Sequence, residues 1–241
     1  MLISENIAEI EERIHKVCDY TGRRRDEITL MGVSKFIPAD KIIEAFNCGI
    51  RCFGESRVKE AAEKFLSFRR PYQEVMPADA FYGMQLHLIG SLQRNKAKQA
   101  VMLFDCIQSV DRNELILELC KYSALRREPV AVLLELHTGE ESKNGYTSLD
   151  DLFKAAELVL NSKNLIPAGL MTMAPFTADR DLIRSSFRQL VKAQKELEKR
   201  FFSGKNGNNW KILSMGMSND YDIAIEEGST LLRIGSAIFK D

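Results

Sequence analysis

A lysine closes the most apolar stretch near the N-terminus. Ile28-Thr29-Leu30-Met31-Gly32-Val33-Ser34 carries no charge, and Lys35 follows it directly, ahead of Phe36-Ile37-Pro38. A continuous apolar run bounded by proline reads as a buried strand of a parallel sheet. A lysine at the end of such a strand is costly to bury, because a low-dielectric setting disfavours the ammonium form. The same pressure makes its amine a nucleophile toward carbonyl compounds, through a Schiff base. The alternative is a lysine that extends past the strand end into water.

Two further stretches have chemical potential. Met215-Gly216-Met217-Ser218-Asn219-Asp220 and Arg233-Ile234-Gly235-Ser236 both pass from strand to helix through small residues. Free backbone N–H groups at a helix start, together with serine hydroxyls, suit a phosphate dianion. An ordinary turn is the competing reading of each Gly-Ser pair. Arg233 lies two residues before Gly235 and so shares its face of the strand. An arginine in that position needs an acceptor, since it does not discharge by losing a proton. A carboxylate partner would be structural; a ligand ring nitrogen or phosphate would be functional. Lys35, a phosphate cradle and an inward arginine together suggest a phosphorylated aldehyde.

The elements that must position these residues follow a strict alternation. A first helix is expected from Ser4, as its cap, to about Tyr20, with Ile7, Ile10, Ile14 and Val17 as one apolar stripe. After the strand reaching Lys35, a helix opens at Pro38 and stops at Gly49. Strands are then expected at 51–55, 86–90, 105–110, 130–136, 166–173, 212–216 and 231–234, separated by helices. Asn113 is read as the cap of the helix after the fourth strand. Pro71 to Gly83 reads as a looser connection, Gly139 to Ser148 as a polar loop, and Gly204 to Asn209 as a turn-rich one.

Eight strands in alternation with helices over 241 residues predict a single (β/α)8 TIM barrel spanning 1–241, with no second domain. A doubly wound open sheet also fits the alternation, usually with fewer strands. In a barrel the active site lies at the C-terminal strand ends, and phosphate commonly binds after strands seven and eight.

Composition narrows the class of partner. Lys+Arg and Asp+Glu both number 34, so no global charge points to nucleic acid or a membrane surface. No apolar run approaches the ~20 residues of a membrane span. The start, Met1-Leu2-Ile3-Ser4-Glu5-Asn6, lacks a signal-peptide pattern, so a cytoplasmic location is expected. The five cysteines (Cys18, Cys48, Cys52, Cys106, Cys120) lack framework or zinc spacing and read as buried free thiols. The basic runs at 23–25, 69–70 and 93–98 lack interleaved aromatics and read as solvated faces.

The chain resembles the YggS/PROSC family of pyridoxal-phosphate homeostasis proteins, which are similar to the barrel domain of alanine racemase. The resemblance runs through Met31-Gly32-Val33-Ser34-Lys35, Gly49-Ile50-Arg51-Cys52-Phe53-Gly54-Glu55 and Leu86-His87-Leu88-Ile89-Gly90-Ser91-Leu92-Gln93-Arg94-Asn95-Lys96. It continues through Gly139-Glu140-Glu141-Ser142-Lys143-Asn144-Gly145, Gly169-Leu170-Met171-Thr172-Met173-Ala174-Pro175, Leu213-Ser214-Met215-Gly216-Met217-Ser218 and Arg233-Ile234-Gly235-Ser236-Ala237-Ile238-Phe239. It implies pyridoxal 5′-phosphate held as a Schiff base on Lys35. It also implies that Ser218, Gly235 and Ser236 hold the phosphate, with Met217 in the same loop and Ser214 assisting, and that Arg233 faces the pyridine nitrogen. Ser56 stands where the family usually has asparagine, a shorter contact near the ring. Ser236 replaces a usual threonine, and Leu86 stands where the family often has an aromatic.

A cation beside the pyridine nitrogen disfavours its protonation and weakens the ring as an electron sink. With no second base in view, a carrier or regulator that releases the cofactor reversibly is the first expectation. Its partners would be the cofactor itself and apoenzymes receiving it, with the chain a monomer or weak dimer. An amino-acid racemase or related lyase, with Lys35 as one base and His87 as the other, is the second. A Schiff-base aldolase whose substrate carries the phosphate is the third. Glu140-Glu141-Ser142-Lys143 is read as a loop over the pocket.

Overall fold

Every expected strand forms in the computed structural model, which describes residues 2–66, 83–139, 144–201 and 210–240. The strands are β1 (Thr29–Val33), β2 (Cys52–Glu55), β3 (Gln85–Leu88), β4 (Cys106–Val110), β5 (Val130–Glu135), β6 (Leu165–Met171), β7 (Ile212–Ser214) and β8 (Leu231–Ile234). Each pairs in parallel with the next, and β8 returns to β1 with Thr29 opposite Leu231 and Gly32 opposite Ile234. The sheet closes on itself, so the fold is the (β/α)8 barrel and the open-sheet alternative falls.

The helices are α1 (Ile3–Thr21), α2 (Ala39–Asn47), α3 (Val58–Phe65), α4 (Ala97–Leu103), α5 (Asn113–Ser123), α6 (Leu149–Leu160), α7 (Arg180–Phe201), α8 (Tyr221–Glu226) and α9 (Ser236–Phe239). Between the strands and this ring lies one continuous apolar shell that includes Ile14, Phe53, Phe104, Leu119 and Phe187. Helix α1 buries Ile3, Ile7, Ile10 and Ile14 against it, the stripe its spacing announces. No helix among the described residues is long and apolar enough to cross a membrane.

Several boundaries differ from expectation for identifiable reasons. Ser4 is inside α1 rather than its cap; Leu2 takes the cap position, and Glu5 reaches back to its N–H at 3.0 Å. Asn113 is the first helical residue of α5, and its side chain accepts from the Tyr146 hydroxyl at 3.1 Å instead of capping. Helix α4 begins at Ala97 after a 3-10 turn at Arg94–Lys96. The short α9 after β8 is the helix into which Arg233-Ile234-Gly235-Ser236 was read to pass. Gly22 and Gly49 end α1 and α2 with positive φ of 68° and 102°, as their type suggests. The looser connection at 71–82, the arginines at 69–70, the run at 140–143 and the loop at 204–209 lie outside the described residues.

Inside the barrel two small apolar clusters form its floor: Met31, Cys52 and Leu231, and Cys106, Leu133 and Met171. Because inward positions recur every second residue, the next inward side chains toward the C-terminal ends follow directly. They are Gln108 after Cys106, Glu135 after Leu133 and Arg233 after Leu231. The barrel therefore changes from apolar to polar along its axis. All five cysteines are free; Cys18, Cys52 and Cys106 are buried, while Cys48 and Cys120 are only half-buried, against the expectation for those two.

Candidate functional site

Lys35 lies two residues beyond the end of β1, and its side chain is exposed. Of the two readings of this lysine, the structure takes the second: it extends past the strand end. The strand stops at Val33, and Ser34 already leads into a turn, so the amine reaches solvent. Phe36, next in the chain, has φ of 64°, a conformation that non-glycine residues rarely adopt. The turn is fixed from outside the barrel. Lys64 of α3 donates to the Ser34 carbonyl at 2.7 Å, and its ammonium sits 2.7 Å from Glu55 and 2.9 Å from Glu60. Glu60 accepts the Phe36 N–H at 2.5 Å, and Glu55 accepts the Ser34 hydroxyl at 2.7 Å. Both backbone neighbours of Lys35 are thus held by one charged group on the barrel's outer face.

Arg233 projects into the barrel at 5% exposure. Its guanidinium donates to the Ser214 hydroxyl at 2.7 Å and to the Thr172 carbonyl at 2.8 Å. No carboxylate forms an ion pair with it among the described residues, so the structural partner considered for it is not there. Burial lowers its pKa to about 10, against the attraction of Asp220 and Glu135. Ser214 in turn donates to Gln108 at 2.6 Å, and Gln108 bonds His87 Nδ1 at 2.8 Å. This chain of hydrogen bonds crosses the barrel interior from β8 to β3. Ser214 and His87, both singled out by sequence, are engaged in it: Ser214 orients the guanidinium, and His87 is an interior histidine held by Gln108.

The loops after β7 and β8 bring Ser218 and Ser236 together, with 3.1 Å between their hydroxyl oxygens. Gly216 has φ of 95°, and a side chain on it would strike Ala224. A side chain on Gly235 would meet Val33 of β1 at 3.2 Å, so this glycine lets the β8 loop lie against the end of the strand that leads to Lys35. Met217 beside the cradle is partly exposed. Two hydroxyls facing each other, with the N–H groups of a helix's first turn, form a donor set suited to an anion. Ser56, at the end of β2, packs its backbone so closely against Gly90 that a side chain there would come within 2.3 Å of the Ser56 carbonyl.

Glu135 was not singled out by sequence. It is 5% exposed at the inner end of β5, and burial, with Asp111 adding to it, pushes its carboxyl from the ordinary 4.5 up to about 7 against the pull of Arg233. A carboxyl raised by folding contributes stability below about pH 4.5 that is lost as the pH rises through about 7. Glu135→Gln is therefore expected to be more stable than wild type at about pH 8, by up to about 3 kcal/mol, and to lose that advantage near pH 4.5. Urea unfolding at the two pH values measures this. A lone charge in an otherwise apolar strand was the available signal for Glu135, and a lone amide was that for Gln108 in β4. Lys64 and Glu60 gave none, because only the packing of α3 on the barrel brings them to the Lys35 turn.

Of the basic runs, 93–98 is surface, whereas in 23–25 only Arg24 is exposed. Arg23 and Arg25 are half-buried, and Arg25 donates to both Glu11 carboxylate oxygens at 2.7 Å, so that run is not the solvated face expected of it. Arg94, Lys96 and Lys98 are exposed, and Arg94 lies 3.3 Å from Glu118.

Comparison with known proteins gives a consistent picture. The profile described as "Alanine racemase, N-terminal domain" matches residues 6–241. A protein of Aquifex aeolicus named pyridoxal phosphate homeostasis protein is 34% identical over 237 residues, covering 98% of this chain and 96% of that protein. One of the same name from Vibrio cholerae is 34% identical over 238 residues, with 98% and 95% covered. Among solved structures, PipY of Synechococcus elongatus with PLP bound superposes with a TM-score of 0.80 at 29% identity, covering 98% of this chain and 99% of that one.

Proposed function

The chain belongs to the alanine racemase N-terminal domain family, among the pyridoxal phosphate homeostasis proteins, and on that premise we propose that it holds pyridoxal 5′-phosphate reversibly. The observation that carries this is the meeting, at one end of the barrel, of three parts: a solvent-accessible lysine on a clamped turn, a facing pair of serine hydroxyls, and a buried arginine that makes no ion pair among the described residues. The residues fit the cofactor. Ser218, Ser236 and the backbone at Gly235 offer donors to a phosphate, and Arg233, which makes no ion pair among the described residues, offers a guanidinium to a ring nitrogen.

When bound, the cofactor supplies an aldehyde that condenses with a primary amine and releases water. Lys35 is the amine this chain presents, and its exposure lets an incoming amine reach the same place. Ser214 and the Thr172 carbonyl fix the guanidinium of Arg233, which cannot deliver a proton to the ring at neutral pH. A ring left unprotonated is a poor electron sink, which favours holding over carbanion chemistry. His87, the second base that a racemase would need, is tied to Gln108. We therefore assign a carrier or regulator in the cytoplasm, with apoenzymes as recipients, over a racemase or lyase.

Equilibrium dialysis tests the phosphate assignment. The Ser218→Ala/Ser236→Ala double variant is expected to bind pyridoxal phosphate about ten- to a hundredfold more weakly, since each hydrogen bond to a charged group contributes about 1.5 kcal/mol or more. Unchanged affinity would place the phosphate elsewhere. Accumulation of the opposite enantiomer from an added amino acid at ordinary enzymatic rates would replace the carrier by the racemase.

A further inference from the structure

The hydrogen-bond chain across the barrel has a direction, and Arg233 sets it. A guanidinium only donates, so the Ser214 oxygen accepts from Arg233 at 2.7 Å. The one hydrogen of that hydroxyl must then go onward, and the Gln108 amide oxygen accepts it at 2.6 Å. Gln108 therefore turns its NH2 toward His87. With an N–H aimed at it over 2.8 Å, Nδ1 of His87 can only accept. The single ring hydrogen of the neutral imidazole is thereby placed on Nε2.

The reverse orientation fails. An amide turned round would donate to a Ser214 oxygen that already accepts from Arg233, and the hydroxyl hydrogen would be left with no acceptor among the described residues. Gln108 and Ser214 are fully buried, and His87 and Arg233 are each 5% exposed, so that loss would carry the full desolvation cost. The neighbouring strands bring no charge to the imidazole from the positions beside it. Gly54 of β2 and Cys106 of β4 stand opposite His87, and burial raises the Cys106 thiol pKa and keeps it uncharged.

We propose that Gln108 is a positioning residue that passes the donor direction of Arg233 on to His87 and fixes the imidazole as its Nε2–H tautomer. Glutamine suits the place because it offers an acceptor to one neighbour and a donor to the other; an ionised glutamate offers acceptors only. The consequence rests on the function proposed above. A histidine whose Nδ1 lone pair is engaged and whose Nε2 holds the proton has no basic nitrogen to spare. Gln108 thus withholds the second base that a racemase would need, and the barrel is left to hold its cofactor.

The chain has three histidines, so long-range proton–nitrogen correlations of the isotope-labelled full chain resolve each ring; His15→Asn and His137→Asn identify the His87 signals by difference. Without pyridoxal phosphate at neutral pH, wild-type His87 is expected to show an unprotonated Nδ1 and a protonated Nε2 that couples to both ring C–H protons. In Gln108→Glu the carboxylate has no hydrogen to give, so Nδ1 should become protonated. Mere filling of the core would fix neither pattern. A protonated Nδ1 in wild type, or an unaltered pattern in Gln108→Glu, overturns the proposal; if the variant fails to fold, the wild-type spectrum decides. Loaded with pyridoxal phosphate in deuterated solvent, Gln108→Glu should exchange the α-hydrogen of added alanine at least about tenfold faster than wild type, within what a positioned base contributes. An inverted tautomer without faster exchange overturns the consequence drawn for racemisation. Failure of the wild-type chain to retain pyridoxal phosphate removes the proposed function and leaves the tautomer result standing.

Discussion

Lys35→Ala is expected to retain no pyridoxal phosphate through desalting and to lack the absorbance at the visible edge that the wild-type complex should show. The side chain is exposed and lies on a turn, so its removal takes away no packed surface, and stability should change by less than about 0.5 kcal/mol. That separates loss of the attachment point from loss of the fold. Lys35→Arg refines the result: a guanidinium keeps the charge but does not condense with the aldehyde at neutral pH. It should fail as fully as alanine does in absorbance, while keeping part of the affinity. A Lys35→Ala protein with an unchanged absorbance band would move the attachment to another amine and remove the basis of the assignment.

Lys64→Met is expected to be the most damaging change outside the cradle. Glu55 is fully buried, and burial already raises its carboxyl despite hydrogen bonds from Lys64 and Ser34. The Lys64 side chain is only 13% exposed. Removing one partner of a buried pair leaves an uncompensated charge, which typically costs about 3–5 kcal/mol. Urea unfolding measures that loss directly. Glu55→Gln/Lys64→Met, which removes both charges, should recover most of the stability. Cofactor retention should stay reduced in the double variant, because the Ser34 carbonyl and Glu60 still lack the ammonium that fixes the turn around Lys35. Full recovery of retention along with stability would make Lys64 a structural residue only.

The two variants also show where sequence was informative. Lys35 was conspicuous because a charge ended an apolar run, and Gly235-Ser236 because small residues followed a strand. Arg233 was placed inward by its two-residue offset from Gly235. Each inference needed only local chemistry and the two-residue period of a strand. Lys64 had no such contrast: on an amphipathic helix a lysine is ordinary, and its contacts with Ser34 and Glu55 span 30 and 9 residues of chain.

The eight alternations of strand and helix and the return of β8 to β1 followed from the sequence. Apolar periodicity and the rule for barrel strand ends act on nearest neighbours along the chain. Burial of individual side chains did not follow. Whether Lys35 was enclosed or exposed depended on the point at which β1 gives way to a turn. The answer was set by α3 packing against it, through Lys64 and Glu60. The carboxylate of Glu135 and the hydrogen-bond chain Arg233–Ser214–Gln108–His87 are likewise products of barrel closure. The hydrogen-bond chain joins residues up to 146 apart in numbering, from His87 to Arg233. Their energies depend on desolvation and on which polar atoms face one another inside the closed sheet, quantities that exist only once the tertiary structure has formed.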